Sequence, residues 1–457
     1  MSDWKEYSLG DISRNISRRF DFNAYPNVVF INTGDVLNNK FLHCEISNVK
    51  DLPGQAKKAI KKGDILYSEI RPGNGRYLFV DNDLDNYVVS TKFMVIEPNA
   101  NIVLPEFLFL LLISNETTEY FKMIAESRSG TFPQITFDSV SSLSLNIPDK
   151  ETQQKILDII TPLDDEIDLN TQINQTLEQI AQALFKSWFV DFDPVRAKVQ
   201  ALSDGMSLEQ AELAAMQAIS GKTPEELTAL SQTQPDRYAE LAETAKVFPC
   251  EIVEVDGIEV PRGWEIKPLP EIIDFLEGPG IRNWQYTDEE DGIKFINIRC
   301  IQNGDLTLTT ANKITKEEAF GKYKHFQLEE DDIVVSTSGT LGRFAFVRKE
   351  HLPLSLNTSV IRFRPIKNKS TLGFIAGFVE NQLQHELEIR ASGSAQRNFG
   401  PTHLKQISLL VPDFKLLELH QKYASSLFEK RKQLLSEIDV LKDTRDLLLP
   451  KLLNGEI

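Results

Sequence analysis

Arginine, asparagine and hydroxyl side chains are concentrated in two glycine-containing loops, one in each half of the sequence. Arg forms paired hydrogen bonds with guanine and Asn with adenine, and loops on a rigid frame present such side chains well. The residues concerned are Arg71, Asn74 and Arg76 in the first half, and Ser338, Thr340 and Arg343 in the second. We predict that these loops contact base edges. For any single side chain, an ordinary solvated surface group is the alternative.

A second pair of loops offers the same chemistry after a shared Ser-Gly dipeptide. The segment SGTFPQITFDSV at 129–140 corresponds to SGSAQRNFGPTHL at 392–404. The candidate base contacts are Arg128, Thr131 and Gln134 in the first segment, and Gln396, Arg397 and Asn398 in the second.

A basic cluster lies upstream of the first loop. It consists of Lys57, Lys58, Lys61 and Lys62. Phosphate contacts from such side chains dominate the affinity of proteins for DNA and fix their orientation on it. We therefore predict that these lysines contact phosphates.

Motifs that would indicate an enzyme fail in this sequence. Gly-Lys-Thr at 221–223 would need a glycine at position 216 to form a phosphate-binding loop, but Met216 stands there. The segment DFDPVR at 191–196 matches an Asp-Pro-Pro-aromatic methyltransferase motif only loosely, because its second proline is Val195. The sequence contains no Gly-x-Ser-x-Gly elbow, and its six histidines lack metal-ligand spacing. We predict no catalytic and no metal site, and hence a binding or scaffold role.

The loops correspond because the sequence is internally duplicated. Phe30-Ile31-Asn32 recurs as Phe295-Ile296-Asn297, and Gly63-Asp64-Ile65-Leu66 as Asp331-Asp332-Ile333-Val334. A period near 265 residues, as between Phe30 and Phe295, is far too long for a solenoid repeat. Each copy must therefore bury its own core, which predicts two homologous domains.

Each copy contains short β-branched or aromatic segments bounded by turn residues, followed by a helical segment. Such a grouping of strands with a helix packed on them predicts an α+β fold. The predicted strands are 28–32, 64–70, 76–80, 92–98, 294–300, 331–337, 343–349 and 359–365. The predicted buried helices are 104–124 and 373–389.

A long amphipathic helix follows each domain, at 151–188 and 415–449. Their apolar stripes consist of Leu169, Ile173, Leu177, Ile180, Leu184 and Trp188, and of Leu427, Leu434, Ile438, Leu441 and Leu448. Pro162 should kink or restart the first helix. We predict that the two helices pair as an antiparallel intramolecular coiled coil that separates the two domains.

The net charge of −17 is unevenly distributed. Residues 151–262 hold 21 acidic and 8 basic side chains, so this segment carries −13 of the −17 and each domain is near neutral. Charge alone therefore does not exclude DNA binding. The predicted segments are a domain at 1–150, a helix at 151–196, an acidic helical insertion at 197–262, a domain at 263–412 and a helix at 413–457.

Cysteine usage and hydropathy indicate a soluble cytoplasmic protein. Cys44, Cys250 and Cys300 are far apart and support neither a disulfide framework nor a zinc site. The longest apolar run, 107–113, has 7 residues, against about 20 needed to span a bilayer.

Three further segments resemble a known family, the specificity subunits of type I restriction-modification systems. They are TLEQIAQALFKSWFVDFDPVRAK at 176–198, RDLLLPKLLNGEI at 445–457 and PRGWEI at 261–266. The resemblance covers essentially the whole chain, with the insertion at about 199–250 as a departure.

The resemblance implies a non-catalytic subunit that binds a bipartite, asymmetric sequence in double-stranded DNA. It implies that each domain reads one half-site while the helices fix the spacer and dock two modification (methyltransferase) subunits. Two restriction subunits would join the complex. S-adenosylmethionine, ATP and Mg would be bound by the partner subunits and no cofactor by this chain.

Two other functions fit the same sequence features. One is a structural adaptor with two protein-binding domains joined by a coiled coil. The other is a nuclease or methylase whose catalytic residues do not match known motifs, which the missing motifs disfavour.

Overall fold

The computed structural model describes residues 4–127, 133–338, 342–390 and 399–457. It divides into two compact units, Met1–Leu169 with Ile438–Ile457, and Asn170–Glu437. In the described parts of the chain, no helix is long and apolar enough to cross a membrane.

The first unit is built from short strands and helices in the order that the sequence predicts. Its strands are β1 (Lys5–Ser8), β2 (Ser13–Asn15), β3 (Asn27–Ile31), β4 (Val36–Leu37), β5 (Lys40–Phe41), β6 (Ile46–Asn48), β7 (Ala56–Ala59), β8 (Ile65–Ser68), β9 (Tyr77–Phe79), β10 (Tyr87–Ser90), β11 (Phe93–Pro98) and β12 (Ser144–Ile147). Its helices are α1 (Leu9–Ile12), α2 (Pro105–Ile113), α3 (Asn115–Ser127) and α4 (Phe137–Val140), with 3-10 turns at Thr33–Asp35, Val49–Asp51 and Pro72–Asn74.

A long helix, α5 (Lys150–Phe189), begins in the first unit and continues into the second. It has 40 residues, or about 60 Å at 1.5 Å per residue. The helix continues through Pro162 instead of restarting there.

The second unit repeats this order after a helical insertion. Its helices are α6 (Asp193–Ser203), α7 (Leu208–Ser220), α8 (Pro224–Thr233), α9 (Pro235–Val247), α10 (Lys316–Phe320), α11 (Leu372–Phe378), α12 (Gln384–Arg390) and α13 (Pro401–Leu404). Its strands are β13 (Ile252–Val255), β14 (Ile258–Pro261), β15 (Glu265–Pro268), β16 (Ile273–Glu277), β17 (Ile293–Ile296), β18 (Ile301–Gln302), β19 (Asp305–Leu306), β20 (Asn312–Ile314), β21 (Ile333–Ser336), β22 (Phe344–Phe346), β23 (Leu354–Leu356), β24 (Val360–Pro365) and β25 (Ser408–Val411). The last helix, α14 (Phe414–Leu453), begins in the second unit and ends in the first. Five 3-10 turns are Leu269–Glu271, Asn283–Gln285, Ile298–Cys300, Lys324–Phe326 and Lys349–His351.

The two domains share one topology. An antiparallel sheet of order β2-β11-β8-β9 in the first domain corresponds to β16-β24-β21-β22 in the second. A second sheet, β6-β3-β10-β7, corresponds to β20-β17-β23, and each contains one parallel pair, β3 with β10 and β17 with β23. The pairs β1-β12 and β15-β25 also correspond. The duplication seen in the sequence is thus a duplication of the α+β frame.

Both domains have a buried aspartate at the same position, Asp64 in the segment 63–66 and Asp332 in the matching segment 331–334. Asp64 is 2% exposed and accepts a hydrogen bond of 2.8 Å from the backbone N–H of Lys61, while Arg18 pairs with its carboxylate. Asp332 is 1% exposed and is held by the N–H of Glu329 at 2.7 Å and by Arg364 at 2.7 Å. In both domains the carboxylate closes the turn that begins the central strand, β8 or β21.

The predicted acidic helical insertion at 197–262 contains most of α6, then α7, α8 and α9, but it ends in the β13–β14 hairpin instead of a helix. The helices α7 to α9 have a small core of their own. Ala215, Met216, Leu227, Leu241 and Ala245 form that core. Thr223 caps α8, because its side chain accepts from the N–H of Glu226 while the Glu226 carboxylate accepts from the N–H of Thr223.

The two predicted buried helices are interrupted. The segment 104–124 breaks at Ser114, between α2 and α3. The segment 373–389 contains a π-helical turn, Val379–Leu383, between α11 and α12. A π-helical turn inserts one extra residue into a helix and requires no particular residue types. The spacing of apolar side chains therefore does not reveal it.

Candidate nucleic-acid interface

The first predicted loop leaves the end of β8 in a strained but well-defined turn. Arg71 adopts a left-handed conformation with φ of 48°, and Gly75 follows with φ of 67°. Between them Pro72–Asn74 forms a 3-10 turn, in which the N–H of Asn74 donates to the carbonyl of Arg71 at 3.0 Å. The side chains of Arg71 and Asn74 are exposed. The turn therefore presents both of these predicted base contacts at the surface.

The structure brings the two predicted loops of the first domain together. The N–H of Arg71 donates to the carbonyl of Pro133 at 3.0 Å, and the N–H of Ile135 donates to Glu69 at 2.9 Å. Gln134 forms a β-bridge with Ile70, and its side chain is exposed. Arg71, Asn74 and Gln134 are thus offered from one edge of the domain, although more than sixty residues separate the loops in the sequence.

The second domain closes its loops in the same way. The N–H of Ser336 donates to the carbonyl of Arg343 at 2.8 Å across the end of β21 and β22. The N–H of Phe399 donates to the carbonyl of Thr337 at 3.1 Å, which ties the second loop to the first. Ser338 is half-buried and Arg343 is exposed.

Six predicted contacts lie outside the residues that the structure describes. They are Arg128, Thr131, Thr340, Gln396, Arg397 and Asn398. Their role in binding stays a prediction.

Arg76 has a different role from the one that the sequence predicts. Its guanidinium Nη1 donates to the carbonyl oxygens of Gly34 at 2.8 Å and Val36 at 2.7 Å. The side chain therefore fastens the segment before the β4–β5 hairpin to β9. We correct Arg76 from a base contact to a residue that positions this hairpin.

The lysine cluster is divided by burial. Lys58 is 8% exposed and its Nζ donates to the carbonyl of Phe93 at 2.6 Å, and burial lowers the pKa of its ammonium group. Lys58 is therefore unable to reach a phosphate, which corrects its predicted role. Lys57, Lys61 and Lys62 are exposed. Lys61 and Lys62 precede β8, whereas the Arg71 loop follows it, so they lie at the far end of a strand from that loop.

Two hairpins beside these loops were not predicted from the sequence. In the first domain Asn38 and Asn39 join β4 to β5 with φ values of 45° and 64°. In the second, Asn303 and Gly304 join β18 to β19 with φ values of 50° and 78°. Asn-Asn and Asn-Gly pairs are typical of tight hairpin turns with positive φ at both central residues. This dipeptide signal could have identified both hairpins.

The long helices pack against each other in antiparallel directions. In the second unit Arg431 of α14 lies 3.4 Å from Glu178 of α5, while His420 contacts Phe185 and Trp188 further along. In the first unit Arg445 of α14 donates to Asp164 of α5 at 2.8 Å. The predicted stripe on α14 is confirmed in part, since Leu434 and Ile438 are buried while Leu427, Leu441 and Leu448 are half-buried.

The stripe on α5, predicted to pack against a helix or a partner subunit, is only partly buried within the chain. Leu169, Ile173 and Ile180 are 50%, 36% and 48% exposed. Leu177 and Leu184 are half-buried, and only Trp188 is fully buried. The buried face is instead formed by residues that include Ile160, Ile167, Asn170, Ala181 and Phe185. Periodicity indicated the more apolar face, but the helix packs through a neighbouring face that carries small and polar residues.

Comparison with known proteins identifies the family of this fold. The model of the Type I restriction modification DNA specificity domain matches residues 1–179 and 261–433. The chain belongs to this family. The two matched segments each contain one domain and part of the long helix that follows it. The resemblance found in the sequence is confirmed.

Individual relatives match most or all of this chain. The Type I restriction enzyme HindI specificity subunit of Haemophilus influenzae is 67% identical over 465 residues and covers 100% of both chains. The MjaIX specificity subunit of Methanocaldococcus jannaschii is 24% identical and covers 87% of this chain and 78% of its own. A crystal structure of the Type-I restriction-modification system S subunit from M. genitalium covers 99% of this chain and 96% of its own at 14% identity, with a TM-score of 0.52. That structure shows the fold alone.

Proposed function

We propose that this specificity chain reads a bipartite DNA sequence, with each domain contacting one half-site. The observation that carries the proposal is the repeated family match on two domains with one topology and different side chains at the same loop edge. Arg71, Asn74 and Gln134 occupy that edge in the first domain, and Ser338 and Arg343 in the second. A common frame with different exposed side chains suits the reading of two different half-sites.

The chain acts in this proposal without catalysis of its own. Two methyltransferase subunits would supply S-adenosylmethionine and methylate adenine, and two restriction subunits would supply ATP- and Mg-dependent cleavage. The exposed apolar side chains of Leu169, Ile173 and Ile180 on α5 support a docking surface for a methyltransferase subunit, because they recur on one helical face and are 50%, 36% and 48% exposed.

The long helices would set the spacer between the half-sites. Half-sites read from one side of the duplex lie about 34 Å apart, and helices of 40 residues are long enough to cover that distance. Partner subunits that contact phosphates would compensate for the near-neutral charge of the domains.

A domain exchange tests this proposal. Residues 1–150 are replaced by the corresponding domain of another family member, the chain is expressed with its methyltransferase partner, and methylated adenines are mapped across the genome. We expect one half-site of the methylated motif to change while the other half-site and the spacer stay the same. A change of both half-sites, or of the spacer alone, would contradict the proposal. An unaltered methylation pattern with and without the chain would favour the structural adaptor.

A further inference from the structure

The β18–β19 hairpin of the second domain borders a polar cavity of about 540 Å³. The tip of the hairpin, 302–304, forms one wall. The segment 342–344 at the start of β22 forms another, and Gln384 of α12 completes the lining. The cavity is therefore open beside the loop edge at which Arg343 is presented.

The chemistry of the cavity lining suits the edge of a base pair. Three carboxamides, those of Gln302, Asn303 and Gln384, and the guanidinium of Arg343 contribute to it, together with the apolar ring of Phe344. Among the residues that the structure describes, no carboxylate lines the cavity, although the chain carries a net charge of −17. Carboxamides pair with adenine and guanidinium groups with guanine, whereas carboxylates would repel the neighbouring phosphates.

Of the three carboxamides that line the cavity, that of Asn303 has no hydrogen bond to another described residue. It is exposed, and among the described residues none forms a hydrogen bond with its side chain. By contrast, the Nε2 of Gln302 donates to the carbonyl of Arg299 at 3.0 Å, and the Nε2 of Gln384 donates to Glu388 at 2.7 Å. Asn303 therefore keeps both its donor and its acceptor for a ligand.

The hairpin that carries Asn303 is firmly held. Asp305, two residues further on, accepts from the Nε and Nη2 of Arg348 at 3.2 and 2.8 Å. Arg348 is 2% exposed and also donates to the hydroxyl of Ser436 on α14 at 3.0 Å. Two parallel hydrogen bonds from a buried guanidinium fix orientation as well as distance. A side chain that contacts a base must be held in place by the residues behind it. At the tip of this hairpin, the Asp305–Arg348 hydrogen bonds provide that support.

The corresponding hairpin of the first domain has asparagine at both turn positions, Asn38 and Asn39. There the Oδ1 of Asn39 accepts from the N–H of Phe79 at 2.7 Å, and the N–H of Asn38 donates to the carbonyl of Gly75 at 2.7 Å. Asn39 occupies the second turn position, where the second domain has Gly304, and Asn303 corresponds to Asn38. The two domains therefore share an exposed asparagine at the first turn position and differ at the second.

We propose that Asn303 is a specificity-determining residue, whose carboxamide pairs with one adenine in the half-site of the second domain. The pairing uses the side-chain N–H₂ as donor to adenine N7 and the Oδ1 as acceptor from adenine N6. This inference rests on the proposed function, because it names a reading group within one of the two domains.

Binding by the full chain, assembled with its methyltransferase partner, tests this assignment. The probes are duplexes that carry the methylated bipartite motif of the wild-type complex, and a set in which each base pair of the motif is replaced in turn. The variants are Asn303→Gly and Asn303→Asp. Glycine adopts the left-handed conformation without strain, so Asn303→Gly removes the carboxamide while keeping the turn. The matched control is Asn368→Gly, since Asn368 is exposed and has φ of 61° in another turn of the same domain.

The wild-type complex should lose on the order of ten-fold in affinity for each replaced base pair that is read directly. In Asn303→Gly, we expect this loss to shrink to about two-fold or less at one A·T pair of one half-site only. In Asn303→Asp, the preference at that position should move towards cytosine, whose N4 amino group donates to a carboxylate. Asn368→Gly should behave as the wild type.

Two outcomes would overturn the inference. In one, Asn303→Gly keeps every position-dependent loss of the wild type. In the other, it weakens discrimination in both half-sites alike, which would indicate a structural role. A wild-type complex without any bipartite preference would instead overturn the proposed function itself, so the two failures are distinguishable.

Discussion

Arg431 of α14 donates a hydrogen bond of 3.0 Å to Glu380, and the two side chains are 6% and 1% exposed. Glu380 lies in the π-helical turn Val379–Leu383, and Arg431 also reaches Glu178 of α5 at 3.4 Å and lies over the rings of Phe346 and Phe428. One guanidinium therefore joins α5, α14 and the second domain. The Oε2 of Glu380 is buried with no hydrogen-bond partner among the described residues.

This buried carboxyl group should make the stability of the second unit depend on pH. Burial, opposed by Arg431, raises the pKa of Glu380 from 4.5 to about 7. A group whose pKa is higher in the folded state stabilises fully below its unfolded pKa and loses that effect as the pH rises through the folded value. We expect the contribution of Glu380 to the free energy of unfolding to fall between about pH 4.5 and pH 7 and to level off above. Buried His420 acts in the opposite direction, because burial lowers its pKa from 6.5 to about 3 and its contribution rises with pH between those values.

Urea unfolding followed by tryptophan fluorescence would measure this dependence, because Trp188, Trp264 and Trp284 all lie in the second unit. Glu380→Gln should remove the falling contribution, so its free energy of unfolding should rise relative to that of the wild type between about pH 4.5 and pH 7, while the exposed Glu418→Gln should follow the wild type. An equal slope in Glu380→Gln and the wild type would refute the assignment.

Removing the cation should cost more than removing the buried carboxylate. Arg431→Met leaves Glu380 buried without its partner, and the loss of one member of a buried ion pair typically costs about 3–5 kcal/mol. We expect the double variant Arg431→Met with Glu380→Gln to recover a large part of that loss. Denaturant midpoints of the wild type, the two single variants and the double variant give the coupling free energy between Arg431 and Glu380. Additive effects of the two substitutions would show that Arg431 acts mainly through packing on the aromatic rings.

Gly377 of α11 allows the close approach of α5. A Cβ at this position would overlap the ring of Phe185. Alanine favours a helix over glycine by about 1 kcal/mol, but overpacking a core typically costs about 1–3 kcal/mol. Because the overlap involves a buried ring held by Phe189 and Phe374, we expect Gly377→Ala to lower the melting temperature. Gly280→Ala is the control, since open space surrounds Gly280. A more stable Gly377→Ala would mean that Phe185 moves freely.

Lys57 and Lys58 are neighbours with opposite environments, and they provide a test of the phosphate contacts. Lys57 is exposed, so Lys57→Gln should weaken DNA binding for all sequences alike and reduce the slope of log K against log salt concentration by about 1. Lys58→Met should leave that slope unchanged, because the Lys58 ammonium group already donates to Phe93 in the interior. Titration of the assembled complex at several salt concentrations gives both slopes. A reduced slope for Lys58→Met would contradict its buried placement.

The sequence predicted the frame of this protein well because the frame depends on local signals that occur twice. β-branched segments bounded by turn residues gave the strands around Asp64 and Asp332. Types of side chains also indicated the two separate loops that contain Arg71 and Gln134. Each of these features is set by residues close in the chain.

The sequence did not predict which polar side chains form hydrogen bonds inside the domain and which remain exposed. Arg76 and Arg343 occupy equivalent positions in the sequence, yet Arg76 is tied to the carbonyls of Gly34 and Val36 and Arg343 is exposed. Lys57 and Lys58 are adjacent residues of β7, so their side chains point to opposite faces of the sheet. Pairing of β7 with β10 determines which of the two is buried. Such partners come from distant segments, so no local pattern records them.

By itself, the sequence determined the duplication, the α+β frame, the two long helices and the family, because these follow from repeated motifs and periodicity. Only the tertiary structure decided that α5 packs through Ala181 and Phe185 while Leu169 and Ile180 stay exposed. It alone separated Asn303, whose carboxamide faces solvent, from Asn39, whose carboxamide holds Phe79. The physical reason is that burial and hydrogen-bond partnership depend on which distant surfaces meet, and an apolar stripe or a polar residue type has the same local pattern in either case.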